Sequence, residues 1–166
     1  LRGKDYLAHL GFLPYDGREG ETVAKNLEYY LASWAVAQVA GRLGYKQDSI
    51  RFYNLSQNYR KLWDQRVKCM RAIDSKGNLR PLPQDFNPQF QTGDYTEGNP
   101  WQYAFLVPHD VNGLAELMGG KDSLNAHLDA LLNAPSDLGD NHNPDISGLI
   151  GQYAHGNEPS HHVLYM

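Results

Sequence analysis

Cysteine is nearly absent: Cys69 is the single one among 166 residues. A lone thiol excludes an internal disulfide framework and any zinc site built from several cysteines. No apolar run approaches the roughly 20 residues that a membrane span requires. An excess of positive charge is missing too. Fifteen Lys and Arg against 19 Asp and Glu leave a net charge of −4, with a pI of about 5.9. Without a basic patch, nucleic acid is disfavoured as the main partner. No sequence repeat recurs at a fixed period. Hydrophobic residues make up 41 % and charged residues 20 %, the balance of a globular chain and not of a disordered acidic one. Eleven Tyr, five Phe and three Trp form a moderately Tyr-rich set suited to lining the pocket of a polar, ring-shaped ligand.

What is present is helical periodicity interrupted by long loops. The first long helix is expected from about Thr22 to Leu43, with Thr22 as N-cap and Gly44 at the C-cap. Its apolar residues cover nearly the whole circumference, so burial on most sides is expected. A second helix is expected from about Asp48 to Asp64. Phe52, Leu55, Tyr59, Leu62 and Trp63 share one face of it, and Arg51, Asn54, Asn58 and Lys61 the other. From Asp74 to Asn99 no helical period survives, and Gly, Pro, Asn and Asp recur; loops of that length are usually functional or carry short strands. Helix signals resume at Pro100, then over Leu114 to Met118 with Asp110 as a possible cap. They continue over Asp122 to Asn133 and again at Pro159. The chain opens Leu1-Arg2-Gly3 with no leader pattern and closes on the apolar run Val163-Leu164-Tyr165-Met166, which reads as a piece of a larger chain. The fold class expected is all-α with long loops.

Two loop segments concentrate the chemistry. In Tyr95-Thr96-Glu97-Gly98-Asn99-Pro100-Trp101-Gln102-Tyr103, Glu97 stands just ahead of a helix among aromatic rings. It reads either as a carboxylate serving the helix dipole or as a general acid whose charged form is disfavoured by those rings. In Gly151 to His162, three His, one Asn and one Glu fall within eight residues. The spacing does not match the His-Glu-x-x-His of a zinc protease. Asn157 and Glu158 oxygens suit a hard cation such as Ca²⁺, or the segment simply caps a helix. Cys69 is expected to pack as a small apolar side chain. Asp140-Asn141-His142-Asn143 reads as a surface turn.

Together these stretches resemble glycoside hydrolase family 92, the calcium-dependent, exo-acting α-mannosidases of bacteria. The matching segments begin with Gly11-Phe12-Leu13-Pro14, Leu27-Glu28-Tyr29-Tyr30 with Ala37-Gln38-Val39-Ala40, and Gln57-Asn58-Tyr59-Arg60. They continue with Glu97 through Tyr103, Pro108-His109-Asp110, Leu117-Met118-Gly119-Gly120 and Gly148 through His162. The resemblance implies an (α/α)6 toroid that packs, in full-length members, against an N-terminal β-sandwich. Twelve helices with their connections need on the order of 350 residues, so residues 1–166 would form one partial domain from the middle of the barrel, completed by the remaining parts of the same catalytic domain.

The resemblance also implies hydrolysis of terminal α-mannosides in glycans, commonly α-1,2-linked, with inversion. Glu97 then matches the family's general acid. His155 and Trp101 are expected at the substrate, and Asn157 and Glu158 at the calcium ion. The family's general base belongs to a motif beyond Met166; Asp94 and Asp110 are available carboxylates, and nothing identifies either as that base. The 166 residues alone are therefore expected to be inactive. A periplasmic or extracellular location is implied as well. A competing reading is a non-catalytic carbohydrate-binding helical module with Trp101, Tyr103 and Tyr153 as stacking platforms. A third, a zinc hydrolase using His155, His161 and His162, is disfavoured by spacing.

Overall fold

A computed structural model describes residues 3–140 and 142–166; the opening Leu1-Arg2 and Asn141 of the expected surface turn lie outside the described residues. Helices α1 (Lys4–His9), α2 (Thr22–Arg42) and α3 (Lys46–Ser56) come first. A 3-10 turn (Gln57–Leu62) leads from α3 into the antiparallel pair β1 (Trp63–Asp64) and β2 (Cys69–Met70). After a long loop come α4 (Pro100–Tyr103), α5 (Val111–Met118) and α6 (Lys121–Asn133). The pair β3 (Leu149–Ile150) and β4 (Tyr153–Ala154) follows, then two 3-10 turns at Glu158–Ser160 and Val163–Tyr165. The chain is mostly helical. The all-α class with long loops is matched to that extent, and the strands are confined to two ribbons of two residues a side.

α2 is the element against which the rest is placed. Val23, Leu27 and Tyr30 are fully buried and join Tyr59, Leu62, Phe105 and Leu114 in one core. Its far half behaves otherwise than expected: Val36 is 45 % and Val39 57 % exposed. Among the described residues α2 packs chiefly on α3, so one face is covered and the opposite one is not. The expectation of burial on most sides is corrected accordingly. Thr22 is the first helical residue and not the cap. Glu21 stands at the cap in a left-handed conformation with no side-chain cap. The free backbone donors of that helix start are taken by the long loop instead: Glu21 N donates to Gly93 O (2.9 Å), and Val23 N to Asp94 O (3.0 Å). At the other end Gly44 adopts φ 83°, and Tyr45 N closes on Ala40 O at 2.9 Å, the left-handed termination expected of a glycine there.

The second helix stops at Ser56, eight residues short of the expected Asp64. There the Ser56 hydroxyl donates back to Tyr53 O (2.7 Å), competing with the helical ladder. The chain tightens to three residues per turn, and Tyr59 and Leu62, three apart and both at 0 % exposure, line up on the core side. The apolar stripe therefore survives the change of helix type. α5 starts as its Asp110 cap requires, with Gly113 N donating to Asp110 Oδ1 (3.0 Å). It ends at Gly119 with φ 100°. α6 begins one residue before the expected Asp122. Where a last helix was expected from Pro159, only the two short 3-10 turns form.

Asp64 holds the β1–β2 turn. Its carboxylate, 2 % exposed, accepts from Arg66 Nη2 (2.7 Å) and from the buried Arg71 Nη1 (3.1 Å). Hydrogen bonding from Arg66 outweighs burial and holds the carboxyl down to about 2. A depressed carboxyl stabilises the fold above its unfolded-state value near 3.8, and that stabilisation is lost as pH falls toward about 2. Acid unfolding of the Asp64→Asn variant, followed by circular dichroism, is expected to lack this component between pH 4 and 2 while being less stable at neutral pH.

Candidate active site

The loop that docks on the start of α2 continues directly into Glu97. At its far end Asn99 caps α4: its Oδ1 accepts from Trp101 N (3.0 Å) and Gln102 N (3.2 Å), while Gln102 Oε1 accepts from Asn99 N (2.7 Å), a reciprocal capping box. Between the two anchors the Tyr103 hydroxyl donates to Thr96 O (2.6 Å). A Cβ on the buried Gly98 would sit 2.6 Å from the Tyr103 ring, so only glycine fits. Glu97 itself has φ 46°, a conformation that a non-glycine residue holds only where its surroundings enforce it. Here the enforcing contact is Asn157 Nδ2, which donates to Glu97 O at 2.6 Å.

Gln152 ties this loop to the second one. The side chain has no exposure, and every polar group on it is used. Its Oε1 accepts from Asn99 Nδ2 (2.8 Å); its Nε2 donates to Pro135 O (2.6 Å) and Asp137 O (2.9 Å). Its backbone carbonyl accepts from Gln102 Nε2 (2.9 Å), and its N–H donates to Leu131 O (2.8 Å). Gly151, at φ 60°, lies so close to the Leu131 and Leu132 carbonyls that a Cβ would collide with both. The 148–158 segment is thus held against the end of α6 and against α4 at once, which delivers the buried Asn157 to Glu97.

The product is an open cleft of about 660 Å³. One wall is α2, through Lys25, Glu28 and Tyr29; Glu97 and Tyr103 form the floor, and Asn157, Glu158 and His161 close the other side. Of the residues singled out from the sequence, the fold brings Glu97, Asn157 and Glu158 together. His155 and Trp101 are not among the lining residues. His155 is exposed, its Nδ1 hydrogen-bonded with the Tyr153 hydroxyl (2.9 Å), and its ring 5.5 Å from that of His161. Trp101 stacks on His127 of α6, ring centroids 5.1 Å apart. Of the three aromatic platforms proposed for a binding module, Tyr103 alone lines the cleft. The α2 residues were missed. The available signal was an acidic residue, Glu28, set among Leu27, Tyr30 and Leu31 in an otherwise apolar helix.

Lys25, the cation on the α2 wall, reaches back to Glu19 (3.3 Å) and Glu21 (3.8 Å). Among the described residues the carboxylates of Glu28, Glu97 and Glu158 have no cationic partner. Burial raises the Glu28 carboxyl above the usual carboxylate range. Burial also raises the Tyr103 hydroxyl, with the Glu28 charge adding to the effect. Burial lowers the His162 imidazole, whose Nε2 is hydrogen-bonded with Phe105 O (2.7 Å).

No three His, Cys, Asp or Glu side chains converge as a metal site among the described residues. One ring nitrogen of each histidine in the zinc reading is hydrogen-bonded: besides His155 Nδ1 and His162 Nε2, His161 Nε2 pairs with His155 O (2.9 Å). For a calcium ion the fit is one of kind and not of number. Asn157 and Glu158 offer hard oxygens beside uncompensated carboxylates, two donors where Ca²⁺ takes six to eight. Cys69 packs as expected, buried, its thiol pushed up to about 12 by that burial. Replacing Gln152 by Ala empties a fully buried position, leaves one donor of the buried Asn99 amide unpaired and frees the Pro135 and Asp137 carbonyls. We expect a loss of about 3 kcal/mol or more in denaturant unfolding, with faster hydrogen exchange of the 96–103 amides.

The glycosyl hydrolase family 92 catalytic domain profile matches residues 1–166. Among solved structures the chain is similar to the family GH92 α-mannosidase BT3965 from Bacteroides thetaiotaomicron in complex with mannoimidazole. The identity is 39 % and the TM-score 0.83, over 98 % of this chain and 22 % of that one. It is also similar to the family GH92 inverting mannosidase BT2199 from Bacteroides thetaiotaomicron VPI-5482. There the identity is 35 % and the TM-score 0.80, over 98 % of this chain and 23 % of that one. This chain therefore spans less than a quarter of either structure's length. No curated protein sequence matches it. Because the profile runs its whole length and both structures superpose on nearly all of it, the chain belongs to the glycosyl hydrolase family 92 catalytic domain.

Proposed function

We propose that these residues are the general-acid portion of an inverting, exo-acting α-mannosidase that removes terminal mannose, commonly α-1,2-linked, from glycans. The observation that carries this reading is the placement of Glu97: a carboxyl with no cationic partner among the described residues, opening into a cleft, on a left-handed backbone that hydrogen bonds from Asn157 and Tyr103 hold in place. Inversion requires one carboxylic acid to protonate the departing glycosidic oxygen, while a carboxylate about 6.5–9.5 Å away activates water on the opposite face. Glu97 takes the first role, and the second falls to a residue outside the 166. The chain then contributes part of an (α/α)6 toroid, whose other helices complete the cleft.

Asn157 and Glu158 would hold part of a calcium ion's oxygen shell; when bound, such an ion orients and polarises sugar hydroxyls. His155, beside His161 at the edge of the cleft, is placed to meet the glycan beyond its first sugar. The glycan substrate places the enzyme in the periplasm or outside the cell. No role at the sugar is carried forward for Trp101, whose ring is spent on His127.

In the full-length protein, Glu97→Gln is expected to lower mannose release from an α-1,2-mannobiose by about 10²–10⁴-fold with little change in mannose binding. An affinity change without a turnover change would instead identify a non-catalytic carbohydrate-binding module. Calcium chelation is expected to suppress release, with recovery on adding Ca²⁺ back.

A further inference from the structure

The reaction just described uses Glu97 and Glu158 and leaves the third carboxylate of the cleft, Glu28, without a task. Glu28 stands on α2 in the wall that faces the Glu97 loop. Among the described residues no hydrogen bond or ion pair engages its carboxylate, and Lys25, three residues earlier on the helix, is occupied by Glu19 and Glu21. The charges of Glu28 and Glu97 both act on the Tyr103 phenol, which puts the three groups in one neighbourhood. Glu28 is an exposed residue on the cleft wall, so its carboxylate is open to a ligand that enters the cleft. The contact is favourable when that ligand brings donors of its own. Ring hydroxyls do this well, because an ionised carboxylate accepts through two oxygens and charge-assisted bonds of this type are the strong ones.

We propose that Glu28 is a substrate-binding residue that accepts hydrogen bonds from ring hydroxyls of the sugar in the Glu97 cleft, and thereby sets which sugar the cleft selects. The assignment rests on the α-mannosidase reading above. A residue serving only the fold would show no dependence on the sugar's hydroxyl pattern, and among the described residues Glu28 makes no hydrogen bond or ion pair whose loss would unfold α2.

The test compares an aryl α-mannoside with its monodeoxy analogues, using full-length wild type, Glu28→Gln, Glu28→Ala and Glu97→Gln. Wild type is expected to lose about tenfold to a hundredfold in kcat/KM on the analogue lacking the hydroxyl that Glu28 engages. Glu28→Ala treats that analogue and the parent alike, and the isosteric Glu28→Gln lies between, all with an unchanged melting temperature. Full discrimination retained by Glu28→Ala against every analogue overturns the assignment. Turnover unaffected in Glu97→Gln, with discrimination lost in Glu28→Ala, overturns the general-acid reading and leaves Glu28 standing. A wild type that cleaves no α-mannoside overturns both.

Discussion

Two segments about fifty residues apart in sequence must be held to within ångströms of each other, and a buried amide does it. Gln152 sits between α4, the end of α6 and the 135–137 turn, and bonds to all three. Its value lies in its geometry. A primary amide offers two donors and one acceptor in a plane, which lets one side chain satisfy carbonyls on one side and the Asn99 amide on the other. Once Gln152 is placed, Asn157 is placed, and through it the carbonyl of Glu97. The long loop is fixed from the other direction by its docking on the open backbone donors at the start of α2. The site is therefore built from loops, but each loop ends on a helix terminus whose unsatisfied groups need it.

The features legible in the sequence are those decided within a few residues. Asp110 as a cap and Gly44 as a terminator follow from local chemistry, and both stand where expected. The miscalls share a cause: a distant partner decides. Thr22 looked like a cap because hydroxyls usually are, but Gly93 and Asp94, some seventy residues on, already supply the acceptors. The helix expected to reach Asp64 ends early because Trp63 and Asp64 pair with Cys69 and Met70. The apolar circumference of α2 promised burial that the described residues provide on one side only. Gln152 drew no notice because a glutamine in a loop is unremarkable until its five partners are known. Glu28 entered only within the matching segment Leu27-Glu28-Tyr29-Tyr30, because no local spacing ties it to a loop some seventy residues on.

The remaining feature to explain is why neutral groups do the positioning. This chain can anchor a carboxylate with cations and does so at Asp64, where Arg66 and Arg71 hold it and drive its carboxyl down to about 2. That arrangement suits a structural residue, which gains from being permanently charged. It would defeat a proton donor, since a guanidinium within hydrogen-bonding range favours the ionised form. Around Glu97 the ties are an asparagine amide and a tyrosine hydroxyl, beside a glycine that leaves room for the Tyr103 ring, and both ties grip backbone, not carboxyl. Lys25, the nearest candidate cation on the α2 wall, is drawn off by Glu19 and Glu21. The contrast between the two carboxyls is one of design logic within a single fold. Where charge is wanted, arginines are supplied; at Glu97, for which a proton-donor role is proposed above, the backbone is immobilised by neutral partners and no cation among the described residues holds the carboxyl.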